Sequence, residues 1–264
     1  MITRRTLLSI LAAAPLRSAS LPEQSAAAVL DRAFPDPSFC YLLTNHATGR
    51  EICSRWPHPL DPVPVGSLVK PFTALAYGEA HDFQFPRFLC TGVETNCWLP
   101  QGHGPMNIRS AIAHSCNAYF LSLARELQPE ALTTVVQRYT LPPPDPQAEP
   151  PAWIGLGTGW RISPVAIARA YSELLARRSD PGVGDILAGM ALSARSGTGR
   201  GAGAGSYVKT GTAHCIHEAQ EPGDGYVIAL SPAAAPCFNL LVRVHGVPGA
   251  KAAWTCGKML HALG

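Results

Sequence analysis

Strand-like runs stand near both ends of this sequence with a long helical stretch between them, and that arrangement limits the folds open to it. Residues 39–44 and 50–56 read as two strands joined through Asn45-His46-Ala47-Thr48-Gly49, a hairpin. Residues 206–210, 226–230 and 238–245 read as strands near the other end, followed by a closing helix over 250–263. Between them the helical pattern covers 68–77, 108–127, 129–139, 164–176 and 186–194, and a short helix at 24–34 precedes the first strand. The run 141–151 holds six prolines and is expected to be a loop, since a helix interior does not accommodate them. Strands at both ends around a helical middle predict an α+β fold of the α/β sandwich type. One antiparallel sheet of about five strands would draw on both chain ends, with flanking helices and an inserted all-helical lobe over roughly 80–195. The groove between sheet and lobe is the natural place for a site.

With 264 residues, 47% hydrophobic and 15% charged, the chain can bury a real core and is too apolar to be disordered. Its first twenty residues read as an export signal: Thr3-Arg4-Arg5-Thr6, an apolar run over 7–14, then Ser18-Ala19-Ser20. That run is too short to cross a bilayer and no second one follows. The expectation is a single domain over 21–264 with no transmembrane span, exported to the periplasm or the exterior by the twin-arginine or the general secretory route. Arg4, Arg5 and Arg17, with no acid beside them in that segment, account for the formal net charge of +3. The remainder has no basic field, which excludes nucleic acid as a partner.

All eight cysteines follow the signal, and an oxidising compartment permits disulfides. Cys90 and Cys97 could close a small loop, and Cys40 and Cys53 sit on the two strands of the hairpin. Connectivity does not follow from spacing, and a set of free buried thiols is an equal alternative. His214-Cys215-x-His217 lacks a matching second pair of ligands, so no metal and no cofactor are expected. The glycine-rich run 197–205 lacks the Lys-Ser/Thr ending of a phosphate-binding loop and reads as a flexible lead-in to the next strand.

Three short motifs carry chemistry. In Ser67-Leu68-Val69-Lys70, helical spacing puts the hydroxyl and the amine on one face. A serine needs a base to become a nucleophile, and a lysine serves if burial or nearby positive charge lowers its pKa. Seventeen serines and four lysines supply one such motif by chance in about one chain in four, so alone it is weak. The rival Ser206-Tyr207-Val208-Lys209 lies on a strand, where residues three apart face opposite sides. Ser115-Cys116-Asn117 falls at a break between two helical runs; alone, a helix cap is its ordinary role. Lys209-Thr210-Gly211-Thr212-Ala213 reads as an edge strand offering an ammonium, two hydroxyls and backbone N–H groups, with Gly211 letting a substrate backbone come close.

In this order the three motifs are those of penicillin-binding proteins and serine β-lactamases, and the chain resembles the penicillin-binding transpeptidase family. The match extends to Gly66 and Pro71-Phe72-Thr73, Cys90-Thr91-Gly92 with Cys97-Trp98, Gly102-His103-Gly104, Ala118-Tyr119-Phe120, and Gly155-Leu156-Gly157 before Ser163-Pro164. It runs from about Phe39 to the C-terminus. The resemblance implies a serine β-lactamase/transpeptidase-like fold and an acyl-enzyme on Ser67, formed from D-Ala-D-Ala stem peptides of peptidoglycan. It implies Lys70 as the base, Ser115 passing a proton to the leaving amine, and Lys209 tuning the field around it. Asn117 would hold the substrate amide, Thr210 and Thr212 its carboxylate, and the N–H groups of Ser67 and Thr212 the oxyanion. β-Lactams would be covalent inhibitors; protein partners do not follow from the sequence. Large members usually carry a membrane anchor and an N-terminal non-catalytic module, and neither pattern stands here.

Two other readings compete. A serine β-lactamase must also activate water, but the Glu-x-x-Leu-Asn loop of one class is absent and Asn117 departs from the apolar second motif of another. A non-turnover penicillin-binding or sensing module would acylate once. His114 beside Ser115 is placed to influence proton traffic, whereas His103 and the five tryptophans (56, 98, 153, 160 and 254) read as core or groove lining. Cys116 reads as a small apolar filler.

Overall fold

The computed structural model describes residues 23–36, 38–215 and 222–264, so the expected export signal and His217 lie outside the described residues. In chain order the elements are α1 (Glu23–Ala33), β1 (Phe39–Asn45), β2 (Glu51–Arg55), β3 (Val63–Pro64), a 3-10 turn (Gly66–Val69) and α2 (Lys70–Ala80). Then come β4 (Phe88–Cys90), a second 3-10 turn (Gly92–Thr95), β5 (Gly104–Met106), α3 (Ile108–His114), α4 (Asn117–Arg125), α5 (Pro129–Arg138) and α6 (Pro150–Trp153). The chain closes with β6 (Arg161–Ile162), α7 (Pro164–Ala176), α8 (Val183–Ser196), a third 3-10 turn (Arg200–Ala202), β7 (Tyr207–Ala213), β8 (Asp224–Ser231), β9 (Phe238–Val244) and α9 (Gly249–Ala262).

One five-stranded antiparallel sheet, in the order β2-β1-β9-β8-β7, joins the two ends of the chain as the sequence predicts. Its side chains alternate between two cores. Cys40, Leu42, Tyr226, Ile228, Leu230 and Leu241 face the helical lobe. Phe39, Tyr41, Leu43, Val227, Ala229, Leu240 and Val242 face α1 and α9. Register preserves this division, since Leu42 opposes Leu241 and Leu43 opposes Leu240. A slip by one residue would turn every one of these side chains to the wrong layer. On α9, Ala252, Ala253, Cys256 and Met259 are buried against the sheet, while Lys251, Trp254 and Lys258 face solvent. The Met259 side chain alone contributes about 1.5–3 kcal/mol on this scale.

The segment between β2 and β7 is helical apart from two short ribbons, β3 with β6 and β4 with β5, which the sequence does not announce. At its centre α2 is buried on all sides from Lys70 to Gly78, as a helix in the middle of a core must be. The helical pattern over 108–127 is two helices, α3 and α4, separated at Ser115-Cys116 where the sequence places a break. Four of the six prolines in 141–151 lie in a loop. The last two open α6, where a missing N–H costs nothing because first-turn N–H groups have no helical partner. None of the eight cysteines is in a disulfide. Cys40 and Cys53 pack into opposite layers of the sheet, so the hairpin pairing is geometrically closed to them.

Candidate active site

The three motifs meet at the free edge of the sheet. The 3-10 turn that carries Ser67 leads directly into α2, and the Lys70 N–H donates to the Ser67 carbonyl. In a 3-10 turn residues three apart eclipse, so Ser67 and Lys70 share a face more strictly than in an α-helix. Gly66 makes the turn possible: its φ is +57°, and a Cβ there would lie 2.3 Å from the Thr212 carbonyl oxygen. Gly211 is the reciprocal case. A Cβ on it would meet the Val65 carbonyl at 2.6 Å, so this glycine lets β7 close against the serine turn as well as leaving its backbone on the cleft.

Ser115 and Asn117 are set by the break between α3 and α4. Asn107 and Ser110 form a reciprocal capping box that starts α3, and Ser115 ends it in the left-handed region at φ 52°. A non-glycine residue held there stores about 1–3 kcal/mol of strain. Neither Ser115 nor Asn117 is a helix N-cap: Ser115 is the C-cap residue of α3, and the N-cap position of α4 belongs to Cys116, without a side-chain bond. Both side chains instead turn to the two lysines.

Lys70 Nζ donates to the Ser115 carbonyl at 2.9 Å and to Asn117 Oδ1 at 2.5 Å. Lys209 Nζ donates to Ser115 Oγ at 2.8 Å and to the Thr210 carbonyl at 2.6 Å. Both lysines are fully buried, and among the described residues neither has a carboxylate partner. Two such ammonium groups around one serine cannot both stay charged cheaply. Burial brings Lys70 down to about 7, against an upward pull from the Cys116 and Cys97 thiols. Burial, and then the charge of Lys70, hold Lys209 well below its ordinary value. A neutral lysine has two N–H groups and one lone pair. The two acceptors around Lys70 use both N–H groups and leave the lone pair for a proton. Among the described residues no hydrogen bond joins Ser67 Oγ to Lys70 Nζ.

These groups line a cleft of about 350 Å³, bounded by Ser67, Ser115, Asn117, Thr210, Gly211 and Thr212 together with Trp98, Leu156, Thr198, Pro248 and Ala250. A cleft of about 410 Å³ along the β4–β5 ribbon carries none of the motif side chains. One contributor escaped the sequence reading, and a second was read only as core or groove lining. Thr198, inside the glycine-rich run, has its hydroxyl 2.6 Å from that of Thr210. Trp98, half exposed over the cleft, donates its Nε1–H to the Ser115 carbonyl at 3.2 Å. Only the density of small residues in 197–205 could have hinted at Thr198, and that run also packs a 3-10 turn beneath α9. Thr212 Oγ1 accepts from the Gly249 N–H at 3.0 Å, which leaves its own proton free to donate. The rival serine is elsewhere: Ser206 Oγ donates to Ser231 Oγ.

A family model described as the penicillin binding protein transpeptidase domain matches residues 61–254 of this chain. The chain belongs to that family. Solved structures agree at the level of fold. The chain superposes on Pseudomonas aeruginosa PBP2, solved in complex with WCK 5153, with a TM-score of 0.75 at 18% identity over 91% of this chain and 73% of that one. Helicobacter pylori PBP2, solved in complex with MreC, gives 0.73 at 16% identity over 91% of this chain and 62% of that one. The transpeptidase domain of Burkholderia pseudomallei penicillin-binding protein 3 gives 0.70 at 15% identity over 91% of each. Comparison with curated protein sequences finds no match.

Proposed function

We propose that this transpeptidase-family domain is an exported serine acyltransferase acting on D-Ala-D-Ala stem peptides of peptidoglycan, and that β-lactams acylate the same serine. The observation that carries the reading is the pair of buried, carboxylate-free lysines converging on Ser115 beside a cleft-lining Ser67. Such an array has no structural economy, because buried unpaired ammonium groups destabilise the fold; it makes chemical sense as a store of neutral amine near pH 7.

In this mechanism Ser67 Oγ attacks the carbonyl between the two D-alanines and its proton passes to the Lys70 lone pair. The carbonyl oxygen becomes an oxyanion held by the N–H groups of Ser67 and Thr212, where one such donor contributes about 3–4 kcal/mol. The C–N bond then breaks as Ser115 gives its hydroxyl proton to the departing amine under the field of Lys209, and the proton Lys70 took from Ser67 replaces it, which returns Lys70 to the neutral form. Asn117 Nδ2 stays available to a substrate carbonyl because its Oδ1 faces Lys70. Thr210 and Thr212 receive the substrate carboxylate. An amine acceptor returns the acyl group as a cross-link, and water returns it as a trimmed peptide.

The test is a time course of labelling by a fluorescent penicillin, on the wild-type chain and on Ser67→Ala, with the adduct located by mass spectrometry. A persistent adduct on Ser67, absent in the variant, is the expected result. Rapid clearance of the adduct would instead mark a β-lactamase. No adduct at all would overturn the catalytic reading.

A further inference from the structure

Beside Ser115 and Asn117 three thiols and one imidazole converge, none of them lining the cleft. The Cys90, Cys97 and Cys116 Sγ atoms and His103 Nδ1 all lie within 4.8 Å of one another. The three cysteines are buried and His103 is half-buried. We propose that these four residues bind one Zn²⁺ tetrahedrally, as a structural site that clamps the Ser115-Cys116-Asn117 break to the strap 90–104.

The distances favour a metal over the alternatives. With Zn–S about 2.3 Å and Zn–N about 2.0–2.1 Å, tetrahedral angles require ligand separations of about 3.8 Å between sulfurs and about 3.6 Å from sulfur to nitrogen. Of the six separations, Cys97 to Cys116 is 3.9 Å, His103 Nδ1 lies 3.4 and 3.5 Å from Cys97 and Cys90, and the other three are within 4.8 Å. A disulfide needs its sulfurs at about 2.05 Å, and none of these cysteines is in one. Ordinary thiol hydrogen bonds explain the cluster poorly, because a neutral ring nitrogen has one lone pair and here faces two thiols at once.

Beside the cluster, Thr95 Oγ1 donates toward Cys90 Sγ at 3.9 Å. Such an outer contact orients a metal ligand and stabilises its charge. The strap is folded for the purpose. A Cβ on Gly92, at φ +81°, would meet the Pro100 carbonyl oxygen at 1.9 Å, so this glycine lets the strap return and bring Cys90, Cys97 and His103 together. Binding would send three thiol protons to solvent and leave a site of net charge −1, the ion's +2 against three thiolates. With four protein ligands no position is left for water, which fits a structural and not a catalytic ion.

The spacing conceals this site from a sequence reading that expects no metal. The intervals 90, 97, 103 and 116 form no paired Cys-x-x-Cys, and the fourth ligand comes from the motif whose neighbours face the cleft. The proposal does not rest on acyl-enzyme chemistry.

Its test is the metal content of the full chain, purified under reducing conditions without chelator and then dialysed against a zinc-free buffer, for wild type and four variants. One zinc per chain is expected in wild type, in Cys53→Ser, which lies on β2, and in His103→Cys, which replaces one zinc ligand by another. Cys97→Ser and His103→Ala should fall to about a tenth of that or less. Replacing the zinc by cobalt should give the thiolate charge-transfer band and the intense d–d bands of a tetrahedral sulfur-rich site; this readout uses wild type and holds even if the variants fail to fold. Absence of stoichiometric zinc after equimolar zinc is supplied to the reduced protein would overturn the proposal. So would undiminished zinc in Cys97→Ser and His103→Ala, or a Cys90–Cys97 disulfide as the state of the freshly exported chain.

Discussion

Lys70 titrates near neutrality, and the acylation rate should show it. Its amine is fully buried, its two N–H groups are spent on the Ser115 carbonyl and Asn117 Oδ1, and burial sets its pKa at about 7. The active form is the neutral amine, so the rate rises as pH rises through that value and levels off above it. At pH 6 about one molecule in eleven holds the neutral form and at pH 8 about ten in eleven, a gain of about tenfold. At an ordinary lysine value of 10.4 the neutral fraction at pH 7 would be smaller than one half by about a thousandfold. The assay is the second-order rate of fluorescent penicillin labelling between pH 6 and pH 8, with near-ultraviolet circular dichroism at each pH to confirm an unchanged fold. Lys70→Arg keeps the positive charge and removes the titration, because arginine does not give up its proton. It should slow labelling by about 10²–10⁴-fold, the contribution of a positioned base. A rate that is flat over this window, or one that falls as pH rises, would refute the assignment of Lys70 as the base.

Three further outcomes follow from the geometry. Gly66→Ala places a methyl group 2.3 Å from the Thr212 carbonyl oxygen at a φ of +57°, so it should cost more than the ~1–2 kcal/mol of left-handed backbone alone and abolish labelling; urea denaturation and the penicillin assay read the two effects. Thr198→Val removes the hydroxyl 2.6 Å from that of Thr210 and should slow labelling about tenfold, ~1.4 kcal/mol, while Thr198→Ser retains the rate. Asn239→Ala, on the far side of the fold, removes the buried amide that bonds the Ala168 carbonyl and Ser172 Oγ from β9; it should cost about 1–3 kcal/mol in urea denaturation and leave the labelling rate of the folded fraction unchanged.

The sheet was legible because its strands are simple objects. The apolar runs 39–43, 226–230 and 238–245 reflect two buried layers, and β7 joins the two strand readings 206–210 and 209–213 into one strand, Tyr207–Ala213. Gly211 weakens the local strand signal there, and what holds the segment extended is pairing of Lys209–Ala213 with Asp224–Ile228 on β8. The ribbons β3–β6 and β4–β5 were illegible for the opposite reason. Each strand has two or three residues, too few for a period, and its pairing comes from chain segments brought together by the helices.

The candidate site divides along the same line. Ser67, Lys70, Ser115, Asn117, Lys209 and Thr210 were readable because each sits in a short motif whose residue types have few ordinary uses together. Thr198 was not, and of Trp98 only a core or groove-lining place was readable, since each is tied to the site by a contact from outside its own motif: Thr198 to the Ala113 carbonyl, and Trp98 to the Ser115 carbonyl. The break at Ser115 shows why both classes are needed. Its left-handed backbone costs energy that the local sequence does not repay, and the Ser115 carbonyl, pulled out of the α3 ladder, is held by Lys70 from one side and Trp98 from another. The Cys116 side chain packs behind it against Cys97. A residue strained in this way keeps its geometry only while all its remote partners are in place, so the hydroxyl that faces Lys209 is positioned as much by the strap 90–104 as by its own motif.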